Sequence, residues 1–138
     1  MQRLVVDTSI YIDFLNQGRH EDVLFQPRTV KYLSAVVLME LLAGASRVQD
    51  RRVLRGIERT FSRTGRVLVP TATVFAEAGE LLQRLARQCA YRLSSSNTLV
   101  NDVLIALSAR SIGATVVTRN ERDYEAIRAL RAFPLIVV

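Results

Sequence analysis

The feature that most constrains this 138-residue chain is the make-up of its apolar runs, which are short, nearly free of polar residues and separated by stretches of helical periodicity. A strand wetted on one face alternates apolar with polar residues, whereas a strand covered on both faces reads as a continuous apolar run. Residues 4–6, 32–35, 67–69, 114–117 and 135–138 read as strands of the second kind, rich in Val, Leu and Ile. Helical spacing fills the intervals. A helix follows the capping group Asp7-Thr8-Ser9, carries Ile10, Tyr11, Phe14 and Leu15 on one face, and ends near Gly18. Further helices are expected over residues 36–43, 50–63, 71–93, from about 98 to Gly113, and 121–130. Residues 18–28 read as a loop holding a short helical piece, and Ser94-Ser95-Ser96-Asn97 as a loop within one domain. The expectation is an α/β fold, a single three-layer domain over 1–138 with a parallel β-sheet flanked by helices on both faces.

Composition removes several classes. A hydrophobic content of 49% suffices for an ordinary core at this length. One cysteine, Cys89, and one histidine, His20, exclude an internal disulfide framework and a Cys/His zinc site. The longest stretch without a charge is residues 67–76, far short of the roughly 20 residues that cross a bilayer. The amino terminus lacks a signal-peptide layout, so a cytoplasmic location is the default. The net charge of +6 comes almost wholly from arginine, with Lys31 the sole lysine. An arginine excess favours a partner rich in phosphate or carboxylate.

In open parallel sheets functional groups gather beyond the carboxyl ends of the strands. Asp7 follows the first strand, Glu40 lies on the helix after the second, Asp102 is near the start of the helix before the fourth, and Asp123 comes just after that strand. Four carboxylates can therefore share one rim. Like charges held together raise one another's pKa, so such a cluster calls for a cation. Oxygen ligands select Mg²⁺ or Mn²⁺, and one or two such ions activate a water for attack on a phosphodiester. This is nuclease chemistry on a polyanionic substrate.

Each acid also has a plainer role open to it. Asp7 suits an N-cap, while Asp102 and Asp123 suit the first turn of a helix, where the dipole favours an acid. Glu40, set between Val36-Val37-Leu38-Met39 and Leu41-Leu42-Ala43, needs a partner or a solvated rim. His20 reads as a solvated loop side chain and Cys89 as a buried thiol. Arg51, Arg55 and Arg59 form a basic stripe that is either a solvated helix face or a phosphate contact.

Taken jointly, Leu-Val-Val-Asp7-Thr8-Ser9, Ser34 followed by Glu40-Leu41-Leu42-Ala43-Gly44, Asn101-Asp102-Val-Leu-Ile-Ala106 and Val-Val-Thr118-Arg119-Asn120-Glu-Arg-Asp123-Tyr124 resemble the PIN-domain family, in particular its ribonuclease toxins of the VapC type. The resemblance implies a PIN-like fold and an Mg²⁺- or Mn²⁺-dependent endoribonuclease blocked by a small cognate antitoxin. It makes Asp7 and Asp102 central metal ligands, with Glu40 and either Asp123 or Asn120 completing the pocket. It also implies that the hydroxyls of Thr8 or Ser9 and of Thr118 support those carboxylates. Homodimers and an apolar antitoxin groove, here Phe14, Leu15, Leu24 and Phe25, belong to the same implication. Residues 18–28 and 94–99 match no phrase of the family.

Competing classes fare less well. A phosphoacceptor receiver domain needs an early acidic pair and a late lysine, and a dehalogenase-like phosphatase needs an acid where Ser9 stands. None of the six glycines builds a GxGxxG or GxxxxGK[ST] phosphate loop. The runner-up is a module of the same fold that grips RNA or a protein without cutting.

Overall fold

The computed structural model describes residues 1–88 and 97–138. Five strands, β1 (Gln2–Val6), β2 (Thr29–Ser34), β3 (Val67–Leu68), β4 (Thr115–Thr118) and β5 (Leu135–Val137), form one all-parallel sheet in the order β3-β2-β1-β4-β5. Around it lie α1 (Thr8–Gln17), α2 (Glu21–Leu24), α3 (Ala35–Gly44), α4 (Val48–Arg63), α5 (Ala72–Gln88), α6 (Asn97–Ser111) and α7 (Glu121–Leu130). The α/β reading of the sequence is therefore correct, as a parallel sheet flanked by helices.

The central strands explain their own composition. Leu4, Val5 and Val6 of β1 and all four residues of β4 are buried, as expected of strands sandwiched between helical layers. Their side chains join Leu33, Val37, Leu54, Leu85, Ile105 and Ile127 in one core cluster. Fully burying an aliphatic side chain of this kind contributes about 1.5–3 kcal/mol. α6 is the most enclosed helix, with every residue from 102 to 109 buried, so its sequence reads as apolar nearly all round. The edge strand β3 is two residues long, which leaves little backbone open to pairing with another chain.

Several boundaries move from their sequence-based positions. β2 begins at Thr29 rather than at residue 32, because Gln2 and Arg3 of β1 extend the ladder to Thr29 and Val30. α4 begins two residues before Asp50, whereas the 18–28 segment holds the short helix α2, in line with its reading as a loop with a helical piece. Gly18 ends α1 in the left-handed region at φ 67°, donating its N–H to the carbonyls of Asp13 and Phe14. Glycine takes that conformation without the steric penalty of a side chain. Cys89, Ser94, Ser95, Ser96 and the expected end of α5 lie outside the described residues. Among the described residues no helix is long and apolar enough to cross a membrane.

Chain direction supplies the last link between fold and site. From β1 the chain winds outward to β2 and β3, then returns to β4 on the other side of β1 and continues to β5. The switch point thus falls between β1 and β4, where the two ladders part and leave a crevice at the strands' carboxyl ends. Asp7, whose N–H is bonded to the carbonyl of Val117 at 2.8 Å, stands at that crevice.

Candidate active site

Asp7 occupies the N-cap position of α1, yet its carboxylate makes no capping hydrogen bond. Its oxygens turn to the crevice instead. Oδ1 accepts from the Tyr124 hydroxyl at 3.0 Å, and Oδ2 accepts from Thr118 Oγ1 at 2.8 Å and from Ser9 Oγ at 3.1 Å. A carboxylate only 4% exposed is costly to leave without donors, and three hydroxyls from three elements supply them. The Ser9 hydroxyl in turn accepts the N–H of Arg119 at 3.3 Å, and the Thr118 hydroxyl that of Asn120 at 2.9 Å. The β4–α7 turn is thereby tied to the start of α1.

Asp102 projects from the middle of α6, beyond the first turn in which a helix dipole would stabilise an acid. It is 3% exposed. Burial pushes its carboxyl up to about 8, with the charges of Asp7, Asp123 and Glu40 adding to the rise and a hydrogen bond with Tyr124 opposing it. Asp102 therefore feels the other three acids. Asn120 reaches across with its Nδ2, donating to Asp102 Oδ2 at 3.2 Å and to Asp123 Oδ2 at 3.1 Å. Asp123 also sits in the first turn of α7, where Asn120 caps its N–H, so the plainer reading of this acid holds alongside its place at the rim. Glu40, half-buried on α3, accepts from Thr8 Oγ1 at 2.7 Å. Ser34 caps α3 through the N–H groups of Val36 and Val37, fixing the helix that presents Glu40.

All eight residues singled out from the sequence, Asp7, Thr8, Ser9, Glu40, Asp102, Thr118, Asn120 and Asp123, enter this hydrogen-bonded and electrostatic network. Two participants lay outside that set. Tyr124, wholly buried, reads in sequence as an apolar member of α7 beside Ile127, and only its phenol tip reveals the polar task. Asp13 sits on the inner face of α1, and an acid among Ile10, Tyr11 and Phe14 was the available signal.

The oxygen donors of Asp7, Glu40, Asp102 and Asp123, held by hydroxyls and an amide, are of the kind a hard divalent cation takes. Protein donors hold Oδ2 of Asp102, Oδ2 of Asp123 and Oε1 of Glu40. Among the described residues no three His, Cys, Asp or Glu side chains are gathered closely enough to hold a metal ion together. Mg²⁺ asks for no such cage, because it keeps several waters and takes one or two carboxylates directly.

Other sequence candidates fall elsewhere. His20 is not a free loop side chain: its Nε2 donates to Asp13 at 2.9 Å. The Arg51, Arg55, Arg59 stripe faces solvent on α4, with Arg55 bonded to Glu58 at 2.8 Å. Phe14, Leu24 and Phe25 line an apolar groove of about 570 Å³ together with Tyr11, Ile57 and Phe61. Leu15 does not join them; one residue further round α1, it lines a cleft of about 160 Å³ beside Glu40 and Leu54. Successive helical residues point in directions about 100° apart, which separates Phe14 from Leu15.

This chain belongs to the PIN domain family, matching it over residues 4–130. Within the family it is of the VapC type. It is 37% identical over 100 residues to the tRNA(fMet)-specific endonuclease VapC of Shigella flexneri, covering 72% of this chain and 70% of that protein. Among solved structures, a DNA-bound VapBC from Salmonella typhimurium superposes with a TM-score of 0.74 at 27% identity, over 99% of this chain and 98% of that one. VapBC2 from Rickettsia felis, bound to a fragment of its promoter, superposes with a TM-score of 0.72 at 22% identity over 99% of both chains.

Proposed function

We propose that this chain is a divalent-metal-dependent endoribonuclease, the toxin of a toxin–antitoxin pair, and that it hydrolyses a phosphodiester bond of a structured RNA such as tRNA. The observation that carries the reading is the hydrogen-bonded set from β4 and α7 that gathers three acids, with Thr118 and Tyr124 holding Asp7 while Asn120 joins Asp102 to Asp123. Asp7, Asp123 and Glu40 oppose the ionisation of Asp102, and a cation relieves that opposition. Asp7, Glu40, Asp102 and Asp123 would hold Mg²⁺ or Mn²⁺ between them. When bound, the ion would supply a water of lowered pKa and neutralise charge building on the phosphate.

The chain's own groups do the positioning. Tyr124, Thr118 and Ser9 fix both oxygens of Asp7, Thr8 fixes Glu40, and Asn120 sets the spacing of Asp102 and Asp123. Supporting bonds of this kind orient ligands before the substrate arrives, which removes a reorganisation cost from the reaction. Asn120 serves as a bridging donor and Asp123 as the fourth acid.

The apolar groove between α1, α2 and α4 is the seat of the cognate antitoxin. Phe14 and Phe25 meet edge to face there at 5.6 Å, and Phe25 remains 66% exposed. The two VapBC complexes that share this fold support an antitoxin partner. The protein acts as a homodimer, a state that light scattering of the purified chain would measure.

The deciding experiment is cleavage of a tRNA pool by wild type and by Asp102→Asn, with Mg²⁺ or Mn²⁺ and with EDTA. Wild type should cut with either metal and stop in EDTA, and Asp102→Asn should lose activity by at least the roughly 100-fold that removal of a supporting residue costs. Cleavage that survives EDTA contradicts the proposal. RNA retained on a filter with no metal-dependent product indicates a binding module instead.

A further inference from the structure

Asp13 is a buried acid outside the carboxylate crevice, 8% exposed on the inner face of α1. A buried carboxylate demands partners, and it has an imidazole and a guanidinium on a single oxygen. His20 Nε2 donates to Oδ2 at 2.9 Å, and Arg119 Nε lies 3.3 Å from the same atom. The His20 hydrogen bond holds the Asp13 carboxyl below its usual range against the effect of burial, with the charges of Arg119, His20 and Arg19 adding to the lowering. His20 reaches this position at φ 67°, the one non-glycine residue in the left-handed region among the described residues. Such a conformation is unfavourable for a side-chain-bearing residue and persists where surrounding contacts impose it.

Arg119 connects this cluster to the crevice. Its backbone N–H is bonded to Ser9 Oγ, which itself donates to Asp7, while its side chain lies against Asp13. Ser9 and Asp13 are four residues apart on α1, so their side chains stand one above the other at a spacing of about 5–6 Å. Arg119 therefore runs along α1 from the crevice to a point one helical turn away, a distance comparable with one nucleotide step. Its side chain is 52% exposed, and it meets Asp13 through Nε, the guanidinium nitrogen nearest the backbone. The half-exposed side chain thus keeps surface open to solvent beyond its contact with Asp13. An arginine fork anchored at its base is suited to grip a phosphate at its tip.

We propose that Arg119 binds the RNA phosphate adjacent to the one that is cut, with Asp13 and His20 as the positioning residues that hold its guanidinium in place. This rests on the nuclease reading above. A polyanion must approach a crevice lined by four acids, and a cation fixed one nucleotide away both attracts the strand and sets its register.

The test separates binding from cutting. Affinity for a tRNA pool is measured in EDTA across a salt series for wild type, Arg119→Gln, Arg119→Lys and Asp13→Asn, with thermal melts of each. Arg119→Gln should weaken binding about tenfold and reduce the slope of log K against log salt by about 0.7 to 1, the signature of one lost phosphate contact. Arg119→Lys should keep the slope but recover only part of the affinity, because the fork is gone. Asp13→Asn should weaken binding less than Arg119→Gln, and the double variant should be no worse than Arg119→Gln alone. In Mg²⁺, Arg119→Gln should raise KM about tenfold while kcat stays within about threefold.

A lowered melting temperature with affinity and salt slope unchanged would overturn the proposal, leaving Arg119 as a latch between α1 and the β4–α7 turn. Arg119-dependent binding by a wild type that never cuts RNA would sustain it while removing the nuclease reading. A wild type that neither binds nor cuts RNA would remove both.

Discussion

Tyr124 and Asp7, separated by 117 residues in sequence, meet in a hydrogen bond of 3.0 Å at the carboxyl edge of the sheet. The phenol is wholly buried, so the bond forms beside the acid crevice where water cannot replace it. Tyr124→Phe keeps the ring and its edge-to-face contact with Phe133 but removes the hydroxyl. It should lower unfolding free energy by about 1–3 kcal/mol, since one oxygen of a buried carboxylate loses its donor. Urea denaturation in EDTA measures this, and a change under about 0.5 kcal/mol, the usual range of a surface substitution, would show that the bond is dispensable.

Asp102 makes stability without metal depend on pH in an unusual direction. Its folded carboxyl titrates at about 8, above the value of 3.8 for an ordinary Asp, so the folded state binds the proton more tightly than the unfolded one. The resulting stabilisation is fully present below the unfolded pKa and is lost as pH rises towards 8. The melting temperature in EDTA should therefore fall from pH 5 to pH 8, and Asp102→Asn should flatten the fall. Adding Mg²⁺ at pH 8 should restore stability by mass action. A melting temperature that climbs over this range in EDTA would contradict the burial and charge coupling described for Asp102.

Thr118 both donates to Asp7 and accepts from Asn120, and it is completely buried. Thr118→Val preserves shape but removes both bonds, whereas Thr118→Ser preserves the hydroxyl. Cleavage of the tRNA pool should fall about 10- to 100-fold for the valine variant, the usual effect of losing a ligand's support, and much less for serine. Equal loss in the two variants would mean that packing, not the hydroxyl, matters at this position.

Phe25 offers the antitoxin groove an aromatic anchor that contributes little to the free protein's core. Phe25→Ala should weaken capture of the cognate antitoxin by about 2 kcal/mol, in the range of an interface hot spot. The melt of the uncomplexed protein should stay within about 0.5 kcal/mol, as for other surface truncations. Titration calorimetry with the antitoxin reads the first quantity, and unchanged affinity would move the docking site away from Phe14 and Phe25.

The strands and most helices were legible in the sequence because burial on two faces leaves a direct mark on composition. Val5 and Val116 sit in unbroken apolar runs for the same reason that each is 0% exposed. Legibility was weaker where a residue's task depends on a remote partner. His20 reads as solvated because nothing in the loop around it shows that α1 turns Asp13 towards it, and Leu15 reads with Phe14 although the turn of α1 sends the two to different clefts.

What the sequence determined alone was the alternation of strand and helix and the presence of acids just beyond strand ends, both consequences of short-range periodicity and backbone chemistry. Only the tertiary structure decided what those acids do. Parallel pairing of β1 with β4 sets Asp7 beside Thr118 and brings α7 back over the crevice, so Tyr124 and Asn120 reach acids that neither approaches along the chain. Hydrogen bonds and charge coupling act over a few ångströms of space, and no local pattern of residues encodes which distant groups will fall within that reach.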